Sequence, residues 1–535
     1  MFCAPRGLAF LFLGLPGCLS PEQAVKSADD QVYALIDARR EELFSQPGGF
    51  RIEPEEGTLR DRVLSGDWSG EEPWSLVDCL EIAAENNRQY RSARESLYLA
   101  ALDLTLERFR FTNIRGFGGN AGVDGSGGEA DSGFVDGGGT LSRLLGGGAQ
   151  IVSGIGASLF RLVRTGDGWD TVTDLSLSVT QPLLGGGVPA IIREPLTQAE
   201  RTLIYEVRDY ERFRREFGFD VAQSVYSLLQ AIDQLRNEKR NYQNLVNLSE
   251  RTQALSKAGR ISQVEADQAT QNQLRSESSL VSLEANVQSQ RDNFLLFLGL
   301  PIETKFDLNP NEFDSLQGED PILEMLDFPI VEALALNQRL DVQTARDEYV
   351  DSDRRVNVAA DALRANLDVS LSGTAVSDDG KPLEFSRDGL NWSGGISLDL
   401  PIDRIPQRNA YRTSLIAREQ AKRAMEQAED QVTVSVRDAL RDTFNARDSY
   451  VIQVGAVALA ERRVEGANLS QEAGRSSTRD VLEAQEALLE AQNSATTALI
   501  NFTLARLNLY LQVEALRLDE SGLSIDAQAL PGPNL

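Results

Sequence analysis

The chain contains no histidine in its 535 residues. That removes the side chain most often used as a general base near neutral pH, and the commonest metal ligand. It has three cysteines, Cys3, Cys18 and Cys79. They are scattered and odd in number, which argues against a disulfide framework and against a cysteine zinc site. Basic charge is also short: 53 Lys and Arg stand against 81 Asp and Glu, a formal net charge of −28. With no basic surface to neutralise phosphates, nucleic acid is not an expected partner. Long hydrophobic runs are missing as well. Beyond the N-terminus no window is apolar for the roughly 18 residues that a membrane-crossing helix needs. No Gly-x-Ser-x-Gly elbow or phosphate-binding loop stands between a strand and a helix. The chemistry left to an enzyme would be a pair of carboxylates, and here the carboxylates follow the solvated faces of helices. One acidic cluster, Asp378-Asp379-Gly380, reads as a turn rather than a metal site. No cofactor and no metal are expected.

What is present begins with a targeting segment. Arg6 is a short basic region and Leu8–Leu15 an apolar one. Leu15-Pro16-Gly17-Cys18 follows and resembles the bacterial lipobox, with Pro16 where a small residue is usual. The resemblance implies that residues 1–17 are a signal peptide and that Cys18 is acylated. Leu19 is not the aspartate that marks inner-membrane retention, so the implied destination is the outer membrane. A lipid anchor holds a chain on a membrane without spanning it. Residues 18–73 form an acidic extension, with helical spacing over Gln31–Phe44.

Two similar halves come next, residues 74–320 and 321–519, followed by a polar tail, 520–535. In the first, Trp74–Arg110 has apolar residues near a helical period, interrupted at Asn86-Asn87. Gly116–Gly148 is glycine-rich and reads as disorder or as loops between short strands. Ile151–Phe160 and Leu175–Thr180 are strand-like; the second alternates strictly and stops at Pro182. A long helix from Pro195 to Lys257 and a returning one, Val264–Leu298, carry apolar residues at spacings of three and four. The second half repeats this order. Phe328–Ala365 is helical with a break after Asn337, Leu367–Ser372 and Gly395–Leu400 alternate, and Pro401 stops the last strand. Helices then span Arg408–Ala473 and Arg479 to about Arg517.

Between the paired helices lie two glycine-arginine tips, Gly259-Arg260 and Gly474-Arg475. Glycine accepts the positive φ that ends a helix, and a serine just beyond, Ser262 or Ser477, can cap the next one. Each tip is the turn of a helical hairpin. The strands are amphipathic with a period of two and about ten residues long, as membrane barrels require. One chain has too few to close a barrel, and open edges do not survive in lipid. Any barrel is therefore shared between chains.

Gly474-Arg475-Ser476-Ser477-Thr478-Arg479-Asp480-Val481-Leu482-Glu483-Ala484-Gln485 is similar to the G-x-x-x-x-x-D-V-L-x-A pattern of the TolC family of outer-membrane efflux and secretion channels. Gln181-Pro182-Leu183-Leu184, Leu400-Pro401-Ile402 and the duplication support the resemblance. It implies a mainly helical fold with a membrane β-barrel. Each protomer of a homotrimer would give four principal strands to a shared twelve-stranded barrel, continued by a helical tunnel in the periplasm. It also implies passive conduction, with a periplasmic adaptor and an inner-membrane RND or ABC pump as partners and outer-membrane lipid around the barrel. Asp480 and Glu483 match the acidic residues that narrow the family's entrance. Gly259, Arg260, Ser262, Gly474, Arg475, Ser476 and Ser477 are the implied adaptor contacts. In the first half, Ser262-Gln263-Val264-Glu265-Ala266 lacks the aspartate and reads as two residues shorter from its glycine. The glycine-rich stretch is longer than four strands need and has room for an extra hairpin or a long extracellular loop. The alternative is a periplasmic coiled-coil adaptor or scaffold lipoprotein, which does not account for the paired strand–proline–helix units.

Overall fold

A computed structural model describes residues 20–44, 49–53, 57–70, 72–126, 129–162, 170–316, 323, 326–378, 381–400, 402–519, 522–526 and 530. The signal segment and Cys18 lie outside the described residues, as do Asp379, Gly380 and Pro401. Helices α1 (Pro21–Phe44) and α2 (Leu59–Ser65) come first. The first repeat is α3 (Leu76–Asn86), α4 (Arg88–Phe109), β1 (Ile114–Ser126), β2 (Glu129–Leu144), β3 (Gln150–Leu162), β4 (Asp170–Pro182), α5 (Pro189–Ile192), α6 (Glu194–Lys257) and α7 (Gln263–Leu298). After α8 (Glu312–Ser315) the second is α9 (Phe328–Gln338), α10 (Leu340–Asp361), β5 (Asn366–Val376), β6 (Leu390–Asp399), α11 (Ile405–Glu472) and α12 (Thr478–Gln512). β7 (Leu516–Asp519) and β8 (Gly522–Ile525) follow. With 64 and 68 residues, α6 and α11 each extend roughly 100 Å.

The chain divides into two compact units, and each takes parts of both repeats. One comprises the chain up to Arg51, Ser96–Val207 and Val350–Glu419. Its centre is one antiparallel sheet in the order β1-β2-β3-β4-β5-β6. β4 pairs with β5 and so joins the repeats, with Leu177 opposite Gly373 and Val179 opposite Leu371. β3 to β6 are the four strands that alternation predicts. The described part of the glycine-rich stretch supplies the extra hairpin for which it has room: β1 and β2 pair antiparallel, and a turn over Leu145–Gly148 leads on to β3. Glycine has no side chain to alternate, so a period of two is invisible there, but its backbone still pairs, Gly118 with Gly138 and Gly119 with Gly137. In the same unit α1 buries Val32 and Ile36 completely, and the Tyr98 hydroxyl donates to Asp29 at 2.6 Å. The acidic extension is thus helical from Pro21, earlier than its apolar spacing shows. Asp351, 1% exposed, accepts from Tyr205 at 2.7 Å and Arg354 at 2.5 Å, which ties α10 to α6.

The other unit comprises Ile52–Glu95, Arg208–Tyr349 and Gln420–Leu535. Trp74 stacks on Phe306 with centroids 4.7 Å apart, and Tyr90 meets Phe217 at 5.0 Å. Cys79 lies fully buried in this cluster, and burial pushes its thiol far above the usual range. A second cluster holds Val331, Val436, Leu509 and Tyr510. The helix breaks fall at Asn87 and Arg339, where the backbone is extended, so the second comes just past Asn337. Asn87 donates to the Phe297 carbonyl at 2.6 Å; Arg339 donates to Asp341 at 2.7 Å and to Gln512 at 2.5 Å. At the first break the Asn87 side chain also accepts from the Tyr90 N–H at 3.0 Å, taking up one of the donors that the new helix start leaves open. α12 ends at Gln512, short of Arg517, because Glu514 takes a left-handed φ of 60°. Its buried carboxylate accepts from Arg212 at 3.0 Å and from Arg215. β8 then pairs with β7, so the tail that reads as polar begins with a hairpin strand.

Candidate functional site

The two helical tips are built alike. Gly259 has φ 71° and Gly474 φ 70°, a left-handed conformation that costs other residues roughly 1 kcal/mol or more. The Arg260 N–H donates to Leu255 at 2.9 Å, and the Arg475 N–H to Ser470 at 2.8 Å. Both pairs close the same helix-ending motif. Ser262 and Ser477 then cap α7 and α12, accepting from the Glu265 and Asp480 N–H groups at 3.3 Å each. This corrects the sequence comparison of the tips. The glycine-to-serine spacing is equal, and Glu265 stands where Asp480 stands. Ala266 and Ala269 are buried as Val481 and Ala484 are. Matching the D-V-L letters hides this equivalence; matching the capping serine reveals it. What the first tip lacks is the second acid, since Gln268 occupies the place of Glu483.

Asp480 and Glu483 lie on the exposed face of the first turns of α12, while Val481 and Leu482 bury against Leu245 and Leu248 of α6. Asp480 accepts from the Ser477 N–H at 2.8 Å, the Ser477 hydroxyl at 2.9 Å and the Ser476 hydroxyl at 2.8 Å. Led by the backbone bond, these donors hold its carboxyl below the ordinary range. Glu483 accepts from Arg479 at 2.8 Å. Both acids thus have local partners and both remain at the surface. Arg260 and Arg475 are exposed beside their glycines. The acidic stripe continues to Glu486 and Glu490, two residues signalled in the sequence by their spacing of three and four. Asn493 and Thr497, further along α12, bond Asn237 at 3.1 Å and Gln230 at 2.8 Å, joining the two hairpins through α6. Of the Asp378-Asp379-Gly380 cluster only Asp378 is described; its carbonyl accepts from the Lys381 N–H at 3.0 Å, and the reading of Asp379 and Gly380 as a turn lies outside the described residues.

The sheet has two chemically distinct faces. One cross-strand row reads Phe117, Gly139, Ile155, Leu175, Ala375, Leu390. The neighbouring row, facing the other way, reads Gly116, Thr140, Gly154, Ser176, Thr374, Asn391. The apolar face is bare: Phe117 is 77% exposed and Trp392 78%. The polar face carries Asp124, Asp136, Asp174 and Asp368, and no Lys or Arg among the described residues. A single sheet with one dry face and one wet face fits a wall between lipid and water. No described helix is long and apolar enough to cross a membrane.

Residues 330–513 match the family of outer membrane efflux proteins. No curated protein sequence matches the chain significantly. Solved structures match across both repeats. CusC, described as a transmembrane channel, is 15% identical with a TM-score of 0.61, covering 82% of this chain and 91% of its own. The open state of the MtrE outer membrane channel of Neisseria gonorrhoeae is 15% identical with a TM-score of 0.60, covering 82% and 88%. The CmeC outer membrane channel of Campylobacter jejuni is 15% identical with a TM-score of 0.59, covering 89% and 90%. At such identities the likeness is one of fold, and it is the TolC-like fold that the Gly474–Gln485 pattern implies.

Proposed function

From a chain that carries the outer membrane efflux protein segment and folds as the TolC-like outer-membrane channels do, we propose a passive channel of the bacterial outer membrane. Three copies share the barrel, and their helices continue it as a tunnel on the periplasmic side. A periplasmic adaptor and an inner-membrane RND or ABC pump deliver the cargo and the energy. The observation that carries this reading is the sheet: among the described residues its apolar face is uncovered and its outer edges are unpaired. Sharing between copies follows from the cost of open edges in lipid. The helices support the same reading. α7 leaves Leu274 and Val281 exposed, and α11 leaves Ile452 and Leu459 exposed; a neighbouring copy would cover them.

In this reading the tips at Gly259, Arg260 and Ser262, and at Gly474, Arg475, Ser476 and Ser477, meet the adaptor. Asp480 and Glu483 from three chains form a ring of carboxylates at the entrance, which attracts cations and repels anions. Cys18 carries the lipid that anchors the chain. The channel reading and the gate are tested together. The detergent-solubilised protein should have the mass of three chains and should insert into planar bilayers as a channel. Replacing both Asp480 and Glu483 by alanine should raise single-channel conductance and weaken block by multivalent cations. A monomer that stays soluble once detergent is removed would sink the channel reading. Unchanged conductance in intact channels would remove the gate alone.

A further inference from the structure

The sheet holds two more strands than the TolC resemblance implies, and both lie at one edge. We propose that β1 of one copy pairs antiparallel with β6 of the next, so that three copies close a barrel of eighteen strands, six from each chain. This rests on the trimeric channel proposed above.

Register carries the argument first. The apolar row that runs through β3 to β6 continues without a slip into Gly139 of β2 and Phe117 of β1. Val123 of β1, on the same face, is 70% exposed. A slip of one residue would turn every such side chain to the wet face. A hairpin folded outside the membrane has no need to keep uncovered apolar residues in step with membrane strands.

Height is the second point. β1 and β2 have 13 and 16 residues, against about 9–11 for a tilted membrane-crossing strand. The turn between β2 and β3 lies at the end where β4 meets the helices, since the Gln181 amide donates to the Gly147 carbonyl at 3.1 Å. β2 pairs along the whole of β3, from Leu144 opposite Gln150 to Ser132 opposite Leu162, and β1 pairs along β2 from Ile114 opposite Ser142 onward.

Closure is the third. The edge of β3 that a twelve-stranded barrel would need is already occupied by β2, from Ser132 to Leu144. The sheet's outermost strands are β1 and β6. With every neighbour antiparallel, they run in opposite senses, so joining β6 to the next β1 keeps the alternation. Barrel diameter grows roughly linearly with strand number, so eighteen strands make it about 1.5 times as wide as twelve. Gly116, Gly118, Gly138, Gly154 and Gly156 all face its water side, where they add no side chain to narrow it.

Cysteine cross-linking in outer membranes tests the edge. Trp392→Cys or Ile396→Cys in β6 is combined in turn with Phe117→Cys, Ala121→Cys or Val123→Cys in β1, and separately with Ile155→Cys in β3. Cys79, being buried, stays silent. Oxidation should give a ladder ending at three chains for at least one β1 position and no ladder for β3. A β3–β6 ladder, or a three-chain mass with no β1 cross-link, overturns the eighteen-stranded barrel and leaves the trimer standing. A single-chain mass overturns the trimeric channel itself. Electron cryomicroscopy of the unmutated protein counts the strands directly: eighteen expected, twelve decisive against.

Discussion

Three donors from Ser476 and Ser477 surround the Asp480 carboxylate, yet the side chain stays exposed. The same bonds that cap α12 keep a negative charge at the tip. The folded pKa is lowered from an unfolded value near about 3.9. The stabilisation is therefore fully present above that value and is lost as pH falls through the lower, folded one. If Asp480 lines the entrance, the cation preference of the channel should persist below the ordinary aspartate range. Replacing Ser476 and Ser477 by alanine should move the midpoint of conductance against pH upward, while the lost cap costs about 1 kcal/mol. Single-channel recording across acid pH checks this, and an unmoved midpoint would assign the titration to another group. The serine-to-aspartate spacing of this cap is visible in the sequence. The ion pair of Glu483 with Arg479 follows from a spacing of four. The equivalence of Glu265 with Asp480 is not visible in the letters, because it is fixed by the position of the cap.

At the scale of elements, the sheet separates what patterning can reveal from what it cannot. β3 to β6 show their two faces in the alternation of Leu, Val and Ile with Ser and Thr. β1 and β2 hide theirs, because glycine fills nine of their 29 positions and interrupts the alternation on both faces. The end of α12 was hidden for the opposite reason. Leu509, Val513 and Leu516 continue a helical spacing, and the break comes from tertiary partners of Glu514, Arg212 and Arg215. The polar face of the sheet makes its own prediction. With Asp136 and Asp174 on it and no described cation to offset them, the barrel should favour cations. Asp136→Asn combined with Asp174→Asn should lower the cation-to-anion permeability ratio, read from reversal potentials in a salt gradient. The helix tips are untouched by these changes, so an unaltered ratio would place all selectivity elsewhere.

For the molecule as a whole, the repeat is legible in the sequence and the two compact units are not. Each unit gathers segments far apart in the chain, and no local pattern records that gathering. In the trimer proposed above, assembly would likewise rest on apolar side chains that one chain leaves exposed. Val281 of α7 is 66% exposed and Ile452 of α11 67%. Val281→Lys with Ile452→Lys removes no buried contact within a chain, so each protomer should keep its helix content by circular dichroism. The three-chain mass should give way to smaller species in native mass spectrometry. A trimer that survives both substitutions would move the helical seam to other residues.

The unpaired edges of β1 and β6 have a consequence for symmetry. An edge that joins a different edge on the next copy makes a head-to-tail contact, and such a contact has no built-in stopping point. It closes into a ring when the rotation per copy is one third of a turn, and otherwise runs on as an open ribbon. That rotation is set by the curvature of the sheet. Glycine frees the strands to bend, and the register shift between Asp124 and Gly125 adds local twist. The glycine-rich edge would then be the part of the chain that counts the copies and ends the assembly at three.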